Sequence, residues 1–350
     1  MKIPYNDMSR IHKDLKPALH AILDTVIDES AFVDDRKGFA KDFEAYTGAN
    51  YCVPCANGTD ALYLAIKSLD LDKGARVAVP AVSYAATAMA VVNAGCVPVF
   101  IDVDAVTGLM DLDELEKEKN LDCIIPVHLY GQCIDVHRIL KLGVPVIEDC
   151  AQAVGATIKG GHVGTFGIIG CFSFYPGKNL GAFGDAGACI TNDSEMAVTM
   201  KQHASLGAVS TNRYDHRIDG INSRMDCMQG MILSEKLKHL DKWTDERARV
   251  AERMENCMNL PKRSKVGYDV YHVLYTLVND RKKFIDFMNK HGIETNIHYP
   301  IALPNLKCFE EYHRTCPVAN RFCERCVSLP LFPGMIDFEV DYIIELYNES

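Results

Sequence analysis

Short apolar runs, each bounded by polar or turn residues, recur along the first two thirds of the chain and alternate with stretches of helical periodicity. Their lengths and spacing predict strands over Arg76–Pro80, Val97–Asp102, Cys123–Val127, Val144–Glu148, Cys171–Phe174 and Ala188–Thr191. Between them the 3.6-residue period predicts helices over Thr59–Leu69, Ala85–Asn93 and Val136–Leu142. Strands alternating with helices imply an α/β fold: a mostly parallel sheet sandwiched by helices. From about Met228 the pattern changes. A long charged helical stretch runs through Lys236, Asp241 and Arg249. A strand-like run over Asp269–Val278 follows, then helix-like runs over Lys282–His291 and Val340–Tyr347. This predicts a large domain over residues 1–240 and a smaller α+β C-terminal domain over residues 241–350, joined by the long helix.

Composition narrows the function. The chain has 350 residues, 48% hydrophobic and 24% charged, enough to bury a large core. Its net charge of −10 argues against nucleic acid as the main partner, while a local basic pocket for one phosphorylated molecule stays open. The longest apolar stretches, such as Ala85 to Ala94, are too short to span a membrane, and Met1 to Arg10 is too polar for a signal peptide. A cytoplasmic location follows as the expectation. The 14 cysteines fall mostly in apolar runs, where free thiols pack as small hydrophobes. The CxxC pairs Cys52/Cys55 and Cys323/Cys326 lie far apart, so no metal site is expected.

The glycines exclude two common cofactor loops. No two of the 24 glycines are separated by one residue, so the dinucleotide fingerprint is absent. Gly177-Lys178 is followed by Asn179 rather than Ser or Thr, which removes the Walker A loop.

Four segments carry chemistry instead. In Ser173-Phe174-Tyr175-Pro176-Gly177-Lys178-Asn179-Leu180-Gly181, a lysine follows an apolar strand and a Pro-Gly turn. A lone lysine is usually a solvated surface residue, but small residues on both sides let the backbone approach a bulky ligand. A lysine held there can have a depressed pKa and form a Schiff base. Asp149 directly follows the apolar run Val144–Glu148. It reads either as a helix cap or surface turn, or as the acid that pairs with a pyridinium nitrogen. Asn57-Gly58-Thr59-Asp60 leads into an amphipathic helix; Thr59 suits an N-cap, and the free amides there would suit a phosphate. Tyr84, past the Arg76–Pro80 strand, reads as a packing residue or as a platform for a planar ring.

The order of these pieces resembles the DegT/DnrJ/StrS aminotransferases, the sugar-nucleotide branch of the fold type I pyridoxal phosphate enzymes. The resemblance runs from Ile3-Pro4-Tyr5 to Leu329-Pro330-Leu331-Phe332-Pro333-Gly334-Met335. It rests on Asn57 to Leu62, Val127-His128-Leu129-Tyr130-Gly131-Gln132, Glu148-Asp149-Cys150-Ala151-Gln152-Ala153, the Lys178 segment and Gly220-Ile221-Asn222-Ser223-Arg224-Met225-Asp226. By position, it implies that Lys178 bonds covalently to pyridoxal 5'-phosphate and shuttles the proton, while Asp149 pairs with the ring nitrogen. It further implies that Gln152 reaches the phenolic oxygen and Tyr84 stacks on the ring. Gly58, Thr59 and Asp60 would bind the phosphate through backbone amides, with the Ser173 hydroxyl. Asn222 would reach the phosphate of a second copy across a homodimer interface, giving shared active sites.

Two departures stand out: Val154 where the family often has histidine, and Ile301-Ala302-Leu303-Pro304-Asn305 after His298-Tyr299-Pro300, where another histidine is usual. The implied reaction is ping-pong transfer of an amino group from glutamate to a nucleotide-linked keto-6-deoxyhexose, with carbon 3 favoured over carbon 4. A keto-cyclitol acceptor, or a non-catalytic regulatory protein on the same fold, are the alternative expectations.

Overall fold

Parallel strands need long crossovers, and the helical stretches supply them. The computed structural model describes residues 1–33, 38–209 and 211–350. In chain order the strands of the main sheet are β1 (Tyr51–Cys55), β2 (Arg76–Pro80), β3 (Val97–Ile101), β4 (Cys123–Ile124), β5 (Ile147–Asp149), β6 (Ile169–Ser173) and β7 (Gly187–Thr191). Continuous ladders give the orders β1-β7-β6-β5 and β3-β2-β4. Two parallel bridges, Ile124 to Val146 and Val127 to Asp149, join them at the β4–β5 seam. The order across the whole sheet is therefore β1-β7-β6-β5-β4-β2-β3. β7 runs antiparallel to both of its neighbours, and the other pairings are parallel. The expected mostly parallel α/β sheet is the one observed.

β6 shows how sequence alternation sets the layers. Phe172 and Phe174 point to one face, where they meet Phe43 of helix α2 (Phe39–Thr47) with ring centroids 5.0 and 5.3 Å apart, edge to face. Each such pair adds about 0.5–1.5 kcal/mol beyond its buried area. Cys171 and Ser173 point to the other face, against helix α3 (Gly58–Ser68): Cys171 Sγ lies 3.5 Å from the Ala61 carbonyl. Helices thus cover both faces, as a buried parallel sheet requires.

A second apolar cluster gathers Val250, Met254, Leu274, Met288, Phe332 and Ile343 around the strand pair Leu274–Leu277 and Cys326–Leu329. Ile3 joins it, forming a parallel bridge to Ile293. Residues between 302 and 323, including Leu303, Phe309 and Phe322, pack instead on the large core.

Several elements differ from the sequence reading. The long helix breaks at Lys238–His239 into Cys227–Leu237 and Leu240–Cys257. β1 carries Pro54 and hides its strand character; as an edge strand paired only to β7 it tolerates the proline. Helix α1 (Ser9–Asp28), α2, the helix Pro317–Arg325 and the strand Cys326–Leu329 are further elements the periodicity did not reveal.

Candidate active site at the carboxyl edge of the sheet

Parallel strands place their carboxyl ends on one edge, where α/β proteins bind ligands. Gly58 follows β1, Tyr84 follows β2, Asp149 ends β5 and Ser173 ends β6, with Lys178 five residues beyond. The sequence-predicted residues other than Asn222 therefore converge on that edge.

The N-terminus of α3 is capped by Asn57, whose side chain accepts from the Asp60 amide at 2.8 Å. Thr59, expected as the cap, sits inside the first turn, because the helix starts one residue earlier at Gly58. The cap also commits the Asp60 amide, which leaves those of Gly58 and Thr59 as the helix's open donors. The Asp60 carboxylate accepts from Ser223 Oγ at 2.7 Å, and that hydroxyl in turn accepts from the Ala56 amide at 3.1 Å. Two glycines make the turn possible. A Cβ on Gly58 would lie 2.6 Å from the Ser173 Cβ, and one on Gly187 would lie 2.4 Å from the Asn57 carbonyl carbon. Ser173 is thus pressed against the open end of α3.

Asp149 is buried. Its Oδ2 accepts from Thr87 Oγ1 at 2.8 Å and its Oδ1 from the Ala151 amide at 3.1 Å. Ser83 Oγ lies 2.8 Å from Thr87 Oγ1, so the segment after β2 orients the acid. Burial pushes the Asp149 carboxyl above its usual range; Thr87, Ala151, Lys178 and His128 pull the other way without cancelling it. Burial likewise lowers the Lys178 amine to about 8, against the opposing pull of Asp149. The Lys178 amine makes no hydrogen bond to a described residue, so it is free to react. An acid pushed up and a lysine pushed down, side by side, mark a reactive site.

Gln152 is clamped: its Oε1 accepts from the Tyr130 amide at 2.6 Å and its Nε2 donates to Tyr299 OH at 2.9 Å. The Tyr84 ring stands 6.0 Å from the Tyr299 ring, tilted by 40°, and is 62% exposed toward the opening. Asn222 turns outward. It bridges to Ser205, its Oδ1 accepts from Arg224 Nε at 3.2 Å, and its exposed side chain contrasts with that of Ser223, which points into the site.

Behind Asp149, on the opposite face of β5, Glu148 accepts from His128 Nε2 at 3.0 Å and from the amides of Gly164, Phe166 and Gly167 at 2.7–2.9 Å. Burial alone would raise this carboxyl, but the His128 contact and the backbone amides hold it below its ordinary range. Cys150 completes a His128–Glu148–Cys150 cluster. The four hydrogen bonds already occupy both carboxylate oxygens, and burial pushes the Cys150 thiol well up, so the group reads as a structural brace. Neither CxxC pair belongs to a metal-sized cluster among the described residues.

Thr87, Ser223 and Tyr299 are further site residues, to none of which the sequence assigns a role. His272 and His298 flank the lysine: Lys178 is among the charges that keep each imidazole neutral, after burial, with His298 at about 4. Nothing in the local sequence around His272 signals this, because its partner Asn179 lies 93 residues away in the chain.

Known proteins carry the same plan. A pleiotropic regulatory protein of Geobacillus stearothermophilus is 35% identical over 100% of this chain and 98% of its own. A UDP-N-acetyl-3-dehydro-alpha-D-glucosamine 3-aminotransferase of Acidithiobacillus ferrooxidans is 37% identical over 99% of this chain and 98% of its own. The crystal structure of DesV from S. venezuelae superposes with a TM-score of 0.95 at 30% identity, covering 99% of this chain and 98% of DesV. The description of one family, the DegT/DnrJ/EryC1/StrS aminotransferases, matches residues 13–347, and with the free lysine facing a buried acid at the sheet edge it leads to one conclusion: this chain belongs to that aminotransferase family.

Proposed function

We propose that the protein transfers an amino group from glutamate to a nucleotide-linked keto sugar, at carbon 3 of a 6-deoxyhexose, using pyridoxal 5'-phosphate. The observation that carries this reading is the free Lys178 amine, lowered to about 8, beside a buried Asp149 with which it makes no hydrogen bond. The residues fit the cofactor. Two open amides and the Ser173 hydroxyl crowd around a turn where Gly58 has no room for a side chain, as a phosphate cradle requires. The acid keeps acceptor capacity beyond Thr87 and Ala151.

When bound, the cofactor supplies an electron sink that stabilises a carbanion. The chain does the rest. Lys178 would anchor the cofactor covalently and then hold and move the proton. Asp149, oriented by Thr87, would keep the ring nitrogen protonated. Gln152, fixed by Tyr130 and Tyr299, would offer its amide to the phenolic oxygen. Tyr84 would pack on the ring. Gly58 and Thr59 would bind the phosphate, with Asp60 holding the turn through Ser223.

Carbon 3 is supported by the Acidithiobacillus relative, whose name specifies a 3-aminotransferase. The regulatory name of the Geobacillus relative favours a second reading, a sensor on this fold, but Lys178 and Asp149 are both intact here. The test is a panel of keto-sugar nucleotides and one keto-cyclitol with glutamate as donor, products identified by NMR. We expect turnover of a 3-keto sugar nucleotide and a yellow protein. Exclusive turnover of the cyclitol, or a colourless protein without turnover, would overturn the reading.

The active unit is a homodimer with shared sites. Asn222 supports this, since its side chain faces outward beside an inward Ser223. Mixing Lys178→Ala with Asn222→Asp subunits should restore activity in the mixed dimer, up to about half that of a wild-type dimer, because one site carries both lesions and the other neither. Heterodimers that form without regaining activity would assign Asn222 to its own chain's site or to none.

A further inference from the structure

His272 is held more rigidly than a packing residue needs. The segment that carries it is stapled to the turn at Tyr130–Gly131: Val270 N donates to the Gly131 carbonyl and Val273 N to the Tyr130 carbonyl, both at 3.2 Å. Gly131, at φ 91°, leaves no room for a side chain, since a Cβ there would lie 2.8 Å from the His272 amide nitrogen. The imidazole itself is bound to Asn179, the residue after Lys178, with Nδ1 3.1 Å from Asn179 Oδ1.

That contact settles the tautomer. Asn179 Nδ2 donates to the Val270 carbonyl at 2.8 Å, which orients the amide and leaves Oδ1, an acceptor only, facing the ring. Nδ1 must then carry the hydrogen. Burial pushes the imidazole well below its ordinary range, and the nearby bases Lys178, Arg247, His298 and Arg263 act in the same direction, so the ring is neutral. Nε2 is therefore a bare lone pair, and it makes no hydrogen bond to a described residue. His298 differs: its Nδ1 lies 2.8 Å from Ser328 Oγ, which can donate or accept, so its tautomer is not set in this way.

We propose that His272 is a positioning residue for the proton-transfer lysine, its Nε2 accepting a hydrogen bond from the Lys178 amine once that amine is released from the cofactor. The inference rests on the role given to Lys178 above. No proton changes owner; the imidazole accepts and the lysine donates. An acceptor stabilises the ammonium form and so raises the lysine pKa in that state.

Two measurements test this. In 15N-histidine-labelled holoenzyme, the resonance lost in His272→Gln should report a neutral imidazole protonated at Nδ1 between pH 6 and 9. An Nε2-protonated ring, or one that titrates in that range, would overturn the proposal. In single turnovers with glutamate, followed by cofactor absorbance, His272→Leu should move the ascending limb of the pH profile to lower pH. The expected shift is about one unit, with about a tenfold loss at the plateau, as for a lost charge-assisted hydrogen bond. His272→Gln, which keeps an acceptor oxygen, should move it by less than half as much. A rate that falls equally at every pH would mean a structural role only and would overturn the proposal. If His272→Leu does not fold, the tautomer of the wild-type ring and the His272→Gln profile decide. Borohydride labelling separates the two readings. Label on Lys178 with an unmoved limb sinks the role of His272 alone; label on another lysine sinks the assignment of Lys178 itself.

Discussion

Replacing Lys178 by alanine is expected to slow the single-turnover reaction with glutamate by about 10³-fold or more, since covalent catalysis and proton transfer are lost together. The fold should survive. The amine makes no hydrogen bond to a described residue that its removal would break, and its turn is held by the backbone, with the Lys178 amide donating to the Tyr175 carbonyl at 2.8 Å. Linkage gives the stability effect a sign. Burial lowers the folded pKa to about 8, below the ordinary lysine value, so the stability this group contributes is present above the unfolded pKa and is lost as pH falls through the folded one. At pH 7 the lysine is a liability in the cofactor-free protein. Lys178→Ala should therefore melt no lower than wild type there, while losing activity. Borohydride should no longer attach cofactor to the chain. Rapid turnover in the variant, or persistent labelling, would move the role to another lysine.

Asp149→Asn has the second-largest expected effect, a loss of about 10²–10³-fold in amino transfer, typical of removing one preorganised electrostatic partner. Asparagine keeps the size but cannot hold a pyridinium proton through charge. It also leaves Thr87 Oγ1 and the Ala151 amide, both donors to the carboxylate, with one acceptor oxygen between them. The stability sign again runs opposite to activity. A raised carboxyl pKa contributes stability that is present below the unfolded pKa and lost as pH rises through the folded one. At neutral pH the buried charge costs stability in the cofactor-free protein. Thermal melts at pH 7 without cofactor should show the variant at or above wild type, with cofactor narrowing or reversing the difference. Near-normal turnover would place the acid elsewhere. A large loss of stability in the cofactor-free protein would mean that the carboxylate is structural first.

Much of the site was legible because it is local. Lys178 lies in a Pro-Gly and glycine-rich segment, Asp149 ends an apolar strand and Gly58 opens an amphipathic helix, so each combines a strand or helix boundary with an unusual residue type. The cap was misread because Asn57 and Thr59 are both good capping residues. Which one caps depends on where the chain leaves β1, and that is set by the close approach of Gly58 to Ser173 and of Gly187 to Asn57. Thr87 falls inside the predicted helix Ala85–Asn93, where nothing points to a carboxylate 62 residues away.

What the sequence by itself determined is the layered α/β plan and the strand ends that carry the chemistry, because both follow from periodicity and from the order of strands and helices. What only the tertiary structure decided are contacts between segments far apart in the chain. The β4–β5 seam rests on bridges just outside the regular strands, Ile124 to Val146 and Val127 to Asp149. Asp102, past the end of β3, accepts from the amides of Val318 and Ala319 at 3.0 and 2.7 Å and so caps the helix Pro317–Arg325 from more than 200 residues away. The helix therefore lacks a capping side chain of its own, and Pro317 in its first turn is a local signal of its start that periodicity alone does not register. His272 reaches Asn179 in the same way. Hydrophobic period is a property of a segment and can be read along the chain. A hydrogen bond between distant segments exists only once packing has brought them together, so its partners leave no mark on the sequence around them.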